Sequence, residues 1–120
     1  MPQLSAVGVR RTTESRHLER RAWVRHESDR DTVCHPVTSG GGQQWAGQVR
    51  DISNGGVGLV LTRRFELGTL LAIEIAGQDG KPGRTLWGRV VHVHPLEPGS
   101  WHLGCSFAAE LSDDDVRQLL

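Results

Sequence analysis

Residues 44–62 read QWAGQVRDISNGGVGLVLT. Two β-type runs, 44–52 and 56–62, are separated by Ser53-Asn54-Gly55. Runs of this length, bounded by turn formers, read as strands, and Asn-Gly supports the positive φ of a tight hairpin turn. Working outward, similar runs recur at 31–37 (DTVCHPV), 69–76 (TLLAIEIA), 84–94 (RTLWGRVVHVH) and 100–108 (SWHLGCSFA). Gly40-Gly41-Gly42, Arg64 to Gly68, Gln78 to Gly83 and Glu97-Pro98-Gly99 punctuate them. Short connections join antiparallel neighbours, because a parallel pair needs a crossover of about a dozen residues. The pattern predicts an all-β fold, a six-stranded antiparallel meander. Closure into a barrel removes its two exposed edges. The last residues predict a short helix over 111–120. Ser112 caps it, Asp113, Asp114 and Asp115 sit in its electropositive first turn, and Leu111, Val116, Leu119 and Leu120 form an apolar stripe against the barrel.

The chain has 120 residues, 37% of them apolar, enough for one domain and too few for two. Fourteen basic and fourteen acidic residues give a formal charge of zero, which argues against a protein that coats nucleic acid or an anionic membrane. The charge is unevenly placed. Residues 1–30 hold seven arginines against four carboxylates, a net +3, while residues 31–109 balance at six of each sign. That balance disfavours a nucleic-acid-binding barrel, whose face should be basic and aromatic. No apolar run is long enough to cross a bilayer and no secretory leader is evident, so a cytoplasmic location is expected. Residues 1–15 read as a disordered tail, 16–30 as a flexible arm, and Glu14 to Arg25 as a short helix entering it. Cys34 and Cys105 lack the spacing of a zinc or redox pair and read as small core residues.

Two clusters carry recognition chemistry. In Arg21-Ala22-Trp23-Val24-Arg25 the arginines stand four apart, on one side whether the segment is helical or extended. In Asp51-Ile52-Ser53-Asn54-Gly55-Gly56 the carboxylate and hydroxyl alternate onto one side, and Gly56 lets a ligand approach the backbone. The pair of motifs, RxxxR followed by [D/N]xSxxG, resembles the PilZ domain, a bacterial receptor module for cyclic di-GMP. The resemblance spans residues 16–120 and extends to GVGLVL after the second motif and LGCSF in the last strand. It implies that Arg21 and Arg25 bind phosphate and guanine edges, that Asp51 and Ser53 hold the guanine Watson–Crick side, and that Gly56 gives close access. Arg20, just before RxxxR, implies an intercalated pair, two cyclic di-GMP molecules per chain. The residue types suit such a ligand: Arg forks onto phosphate and onto guanine O6 and N7, and a carboxylate accepts from guanine N1–H and N2–H₂.

A non-catalytic binding module follows, with no cofactor beyond the ligand, an arm that orders over the nucleotide, and an unidentified effector protein as partner. The alternative is an interaction or scaffold barrel whose nucleotide site is vestigial, with Asp51 and Ser53 merely capping a turn. His92, His94 and His102 fall on one predicted face, but no further ligand completes a zinc set, so no metal is expected. Trp45, Trp87 and Trp101 read as core or barrel-rim packing. Trp23, inside the arginine motif, is expected to touch ligand or to dock the arm.

Overall fold

Apolar side chains on alternate positions of six strands need a common interior, and closing the strands on themselves provides it. The computed structural model describes residues 23–37, 43–80 and 82–120. Its strands are β1 (His26–Glu27), β2 (Asp31–Pro36), β3 (Trp45–Ile52), β4 (Gly56–Leu61), β5 (Leu70–Ile75), β6 (Arg84–Glu97) and β7 (Ser100–Phe107), followed by helix α1 (Asp113–Gln118). The ring order is β3-β2-β5-β6-β7-β4, and β4 pairs back onto β3 to close a six-stranded antiparallel barrel. The two-residue β1 lies outside the ring, paired with β3 at Asp51 and Ile52. Ile52, Val57, Leu59, Leu71, Ile73 and Leu103 are completely buried inside.

The six predicted strands are present, but the meander is not. Consecutive strands β4 and β5 do not pair; β4 lies between β3 and β7, and β5 between β2 and β6. Closure uses the second edge of β4 for β7, so the chain from 62 to 69 must pass to the other side of the ring. The crossing is packed: Phe65 joins the core and meets Trp45 edge-on at 5.4 Å, with the Arg63 guanidinium 4.3 Å over the Trp45 ring. Gly68 ends it at φ 89°, a conformation that favours glycine, and its N–H donates to the Val90 carbonyl at 2.7 Å. The β3–β4 connection also differs from expectation. Neither Asn54 nor Gly55 adopts positive φ, because the turn is shaped by Ser53, whose N–H donates to the Gly56 carbonyl at 2.9 Å.

Helix α1 starts as predicted. Ser112 Oγ accepts from the Asp115 N–H at 3.1 Å, and Asp115 Oδ2 accepts from the Ser112 N–H at 3.2 Å, a capping box. Arg84 of β6 reaches the other Asp115 oxygen at 2.8 Å and, with the cap, holds that carboxyl down to about 2. Leu111, Val116 and Leu119 enter the core. Leu120 departs from the expected stripe and is 40% exposed, because helical geometry ends at Gln118. Instead its carbonyl accepts from Arg30 Nη2 at 2.8 Å, while Arg30 Nη1 donates to the Ala76 carbonyl at 2.7 Å, tying the end of the arm to the chain terminus. Trp45 and Trp101 pack against the core, whereas Trp87 corrects the packing expectation by standing on the outer wall, half exposed. Cys34 and Cys105 are free buried thiols, which burial pushes up to about 11 and about 12. No described helix is long and apolar enough to cross a membrane. Of the helix predicted over 14–25, only Trp23, Val24 and Arg25 lie within the described residues, and they are not helical. The tail at 1–15 and the glycine run at 40–42 lie outside them.

Leu103, fully buried on β7 between Leu59 and Val93, reports on the packed interior. Leu103→Ala is expected to lower unfolding free energy by about 2–5 kcal/mol in urea titrations. A loss below about 1 kcal/mol would show a loosely filled barrel.

Candidate functional site

The register of β3 decides which side chains leave the barrel. Val49 and Ile52 are both buried, although strict alternation would send Val49 and Asp51 inward together. A bulge between Val49 and Asp51 inserts Arg50 as an extra residue, so that Val49 faces Leu59 and Asp51 faces Gly58. Asp51 is thereby turned to the outer wall and Ile52 into the core. The arm reaches the same place by pairing. His26 opposes Ile52, the Ser28 N–H donates to the Arg50 carbonyl at 3.0 Å, and the Arg30 carbonyl accepts from the Val49 N–H at 2.8 Å. Running antiparallel to β3, the arm delivers Arg25 beside the β3–β4 turn. Arg25 Nη1 donates to Ser53 Oγ at 3.2 Å, and Arg25 Nε stands 3.1 Å from Asp51 Oδ1. That ion-pair contact lacks hydrogen-bond alignment, so Asp51 Oδ1 is buried without a hydrogen-bond partner among the described residues.

Within the second motif, roles divide. Asp51 and Ser53 face the arm. Asn54 faces the other way: its Nδ2 donates to the Leu111 carbonyl and to Asp113 Oδ1, both at 2.9 Å, and its carbonyl accepts from the Leu111 N–H at 2.8 Å. It fastens α1 to the turn, a role not assigned from sequence, although an Asn in a turn is a ready side-chain donor. The space that a side chain at Gly55 would need is filled by the Trp23 ring, so Trp23 docks the arm on the turn. A Cβ at Gly56 would stand 2.4 Å from the Cys105 carbonyl oxygen, so this glycine allows β4 to pack on β7. Gly56 nevertheless lines, with Trp23, Arg25, Ser53, Gly55 and His92, a cleft of about 130 Å³. Two larger clefts, of about 440 and 450 Å³, lack this convergence of Arg25 and Ser53.

Of the six predicted site residues, Arg25, Asp51, Ser53 and Gly56 come together around the β3–β4 turn. Arg20 and Arg21 lie outside the described residues. Three imidazoles continue the outer wall: the His92 ring centre lies 5.1 Å from that of His94 and 5.4 Å from that of His102. Among the described residues, no group of three or more His, Cys, Asp or Glu side chains is arranged to hold a metal ion. Desolvation lowers the pKa of His92 and His102 below the ordinary imidazole value, reinforced for His92 by His94 and Arg25 and for His102 by His92, Arg50 and His94; Asp51 opposes the shift in both.

Comparison with known proteins bears on this geometry. The family model described as PilZ domain matches residues 19–120. No curated protein matches the chain. Solved structures share the fold at low identity. The PilZ domain of YcgR from Escherichia coli, with c-di-GMP, superposes at TM-score 0.62 and 17% identity, covering 83% of this chain and 86% of that one. The inhibitor of motility MotI/DgrA of Bacillus subtilis also gives 0.62, at 16% identity, over 82% of this chain and 47% of that one. The MrkH–c-di-GMP complex of K. pneumonia gives 0.56 at 18% identity, over 81% and 47%. This chain thus spans about half the length of MotI/DgrA and MrkH.

If Asn54 serves α1 and not a ligand, Asn54→Ala is expected to cost about 1–3 kcal/mol of stability through the unpaired Leu111 carbonyl and Asp113. Proteolysis should then clip the chain near residues 111–120 faster than in the parent protein. Unchanged stability would assign the anchoring of α1 to its apolar contacts alone.

Proposed function

We propose that this chain, which belongs to the PilZ domain family, is a receptor for cyclic di-GMP rather than an enzyme, and holds the nucleotide on the outer wall beside the β3–β4 turn. The observation that carries the reading is the contact of Arg25 with both Asp51 and Ser53, across 28 positions of sequence from the hydroxyl. One end of the arginine motif therefore meets the carboxylate and the hydroxyl of the second motif. The YcgR and MrkH structures similar to this chain contain c-di-GMP, which supports the same ligand class here.

Arg25 and Asp51 neutralise one another, and Ser53 holds the guanidinium in place. A phosphate competes with Asp51 for the guanidinium, which it can bind in a forked manner through two N–H groups. Asp51 is then released to accept from guanine N1–H and N2–H₂. Adenine presents an acceptor, N1, where guanine presents a donor, so a carboxylate there repels it. A cleft of about 130 Å³ is well below the 300 Å³ or more typical of drug-sized ligand sites, so a dinucleotide needs further walls. Arg20 and Arg21 supply them in this reading: the arm closes over the nucleotide, Arg20 adds the surface for a second molecule, and the ordered arm is what an effector protein reads.

Calorimetric titration tests this. Cyclic di-GMP is expected to bind at two molecules per chain and cyclic di-AMP at least about tenfold more weakly. Arg25→Ala is expected to cost about 2–4 kcal/mol of binding, roughly 30- to 1000-fold. Arg20→Leu should move the endpoint from about two ligands towards one. Equal binding of cyclic di-AMP, or none of either nucleotide, would overturn the receptor reading; a wild-type endpoint of one would overturn only the stoichiometry.

A further inference from the structure

The outer wall beside the Arg25–Asp51 contact carries an in-register row of four residues across four strands. Asp51 of β3 faces Gly58 of β4, Gly58 faces Gly104 of β7, and Gly104 faces His92 of β6. The two central positions have no side chain, so the outer residues lean inward over them. A Cβ at Gly58 would stand 2.9 Å from Asp51 Oδ1 and 3.0 Å from His102 Nε2; one at Gly104 would stand 2.2 Å from His92 Cε1. Both ends of the row are re-aimed by bulges. Between Val90 and His92 the β6 register shifts by one residue, as β3 does between Val49 and Asp51. Val90 stays in the core while His92, which strict alternation would turn inward, faces out. Two independent backbone irregularities thus aim a carboxylate and an imidazole at one glycine-floored trough, and His92 lines the cleft that holds Arg25 and Ser53.

We infer that His92 and His102 are ligand-contacting residues of this site, outside both sequence motifs, and that they make nucleotide binding proton-linked. The inference rests on the cyclic di-GMP reading and deepens it. The charged and titratable groups around the two rings are Arg25 from the arm, Arg50 and Asp51 from β3, and His94 from β6. Arg25 at His92, Arg50 at His102 and the neighbouring imidazoles disfavour the imidazolium, and Asp51 favours it. Among the protein's own groups both rings are therefore biased towards the neutral form. A dianionic nucleotide entering the trough reverses the balance, since its phosphates occupy Arg25 and face the rings directly. Binding then takes up a proton, and by linkage the affinity rises as pH falls through the imidazole range. Neutral at higher pH, the same rings present flat faces to a purine, so contact persists while the charge-assisted part is lost.

The test is calorimetry with cyclic di-GMP on the full chain at about pH 8 and about pH 6, in buffers of different ionisation enthalpy, where one proton taken up per ligand allows at most about tenfold in affinity per pH unit. Wild type is expected to bind at least about threefold more tightly at the lower pH, with net proton uptake. The double variant His92→Gln, His102→Gln should bind more weakly at the lower pH and lose most of the pH dependence. Imidazole resonances followed by NMR should show both rings titrating at higher pH with ligand than without. Binding by wild type that ignores pH, or an unchanged pH dependence in the double variant, overturns this inference and leaves the receptor reading standing; an unchanged dependence would assign the proton to another group. Absence of binding at either pH overturns both.

Discussion

A single extra residue in β3 is the constraint on which core and site both depend. Val49-Arg50-Asp51-Ile52 places two charged residues between two apolar ones, and a regular strand would have to bury either Asp51 with Val49 or Arg50 with Ile52. Burying an unpaired carboxylate costs far more than the ladder hydrogen bond lost at a bulge. The chain takes the bulge at Arg50, Val49 and Ile52 enter the barrel, and Asp51 emerges beside the arm. Packing energy thus positions the carboxylate, and the recognition chemistry proposed for it would use a side chain aimed by the core.

The same economy runs through the turn that follows. Ser53 is nearly fully buried, and its hydroxyl accepts from both the Gly55 N–H and Arg25, so one oxygen shapes the turn and positions the guanidinium. Gly55 receives the Trp23 ring, Gly56 admits the β7 backbone, and Asn54 holds α1. A motif that reads as a ligand signature is at least half a structural joint between arm, barrel and helix. In the proposed function, a change at Arg25 would act on a segment held to β3 at His26 and to the Leu120 carbonyl through Arg30.

Much of this was legible from residues alone because the relevant signals are local. Strand runs, the capping box at Ser112 and the two motifs need only short-range patterns. What was not legible depends on closure. The crossing at 62–69 looks like an ordinary short connection until β7 is known to occupy the edge of β4. Asn54-Gly55 suggests a positive-φ turn, but the turn is shaped by Ser53, and Asn54 instead holds α1, some sixty positions away. The half-exposed Trp87 follows from its place on the outward phase of β6, opposite Ala72, against the general tendency of a large ring to be buried. Both bulges did leave a trace in the sequence, since Val49-Arg50-Asp51-Ile52 and Val90-Val91-His92-Val93 each break the period of two.

The central claim is a location: the nucleotide lies on the outer wall spanned by β3, β4, β7 and β6, beside the arm. The most direct measurement is a map of backbone amide shifts as cyclic di-GMP is added to the isotopically labelled chain. The account predicts the largest changes at Arg25, Asp51 to Gly58, His92 and His102 to Ser106, with little change on the opposite side of the barrel. Changes centred instead on the cleft of about 440 Å³ lined by Asp31, Glu74 and Arg84 would contradict it.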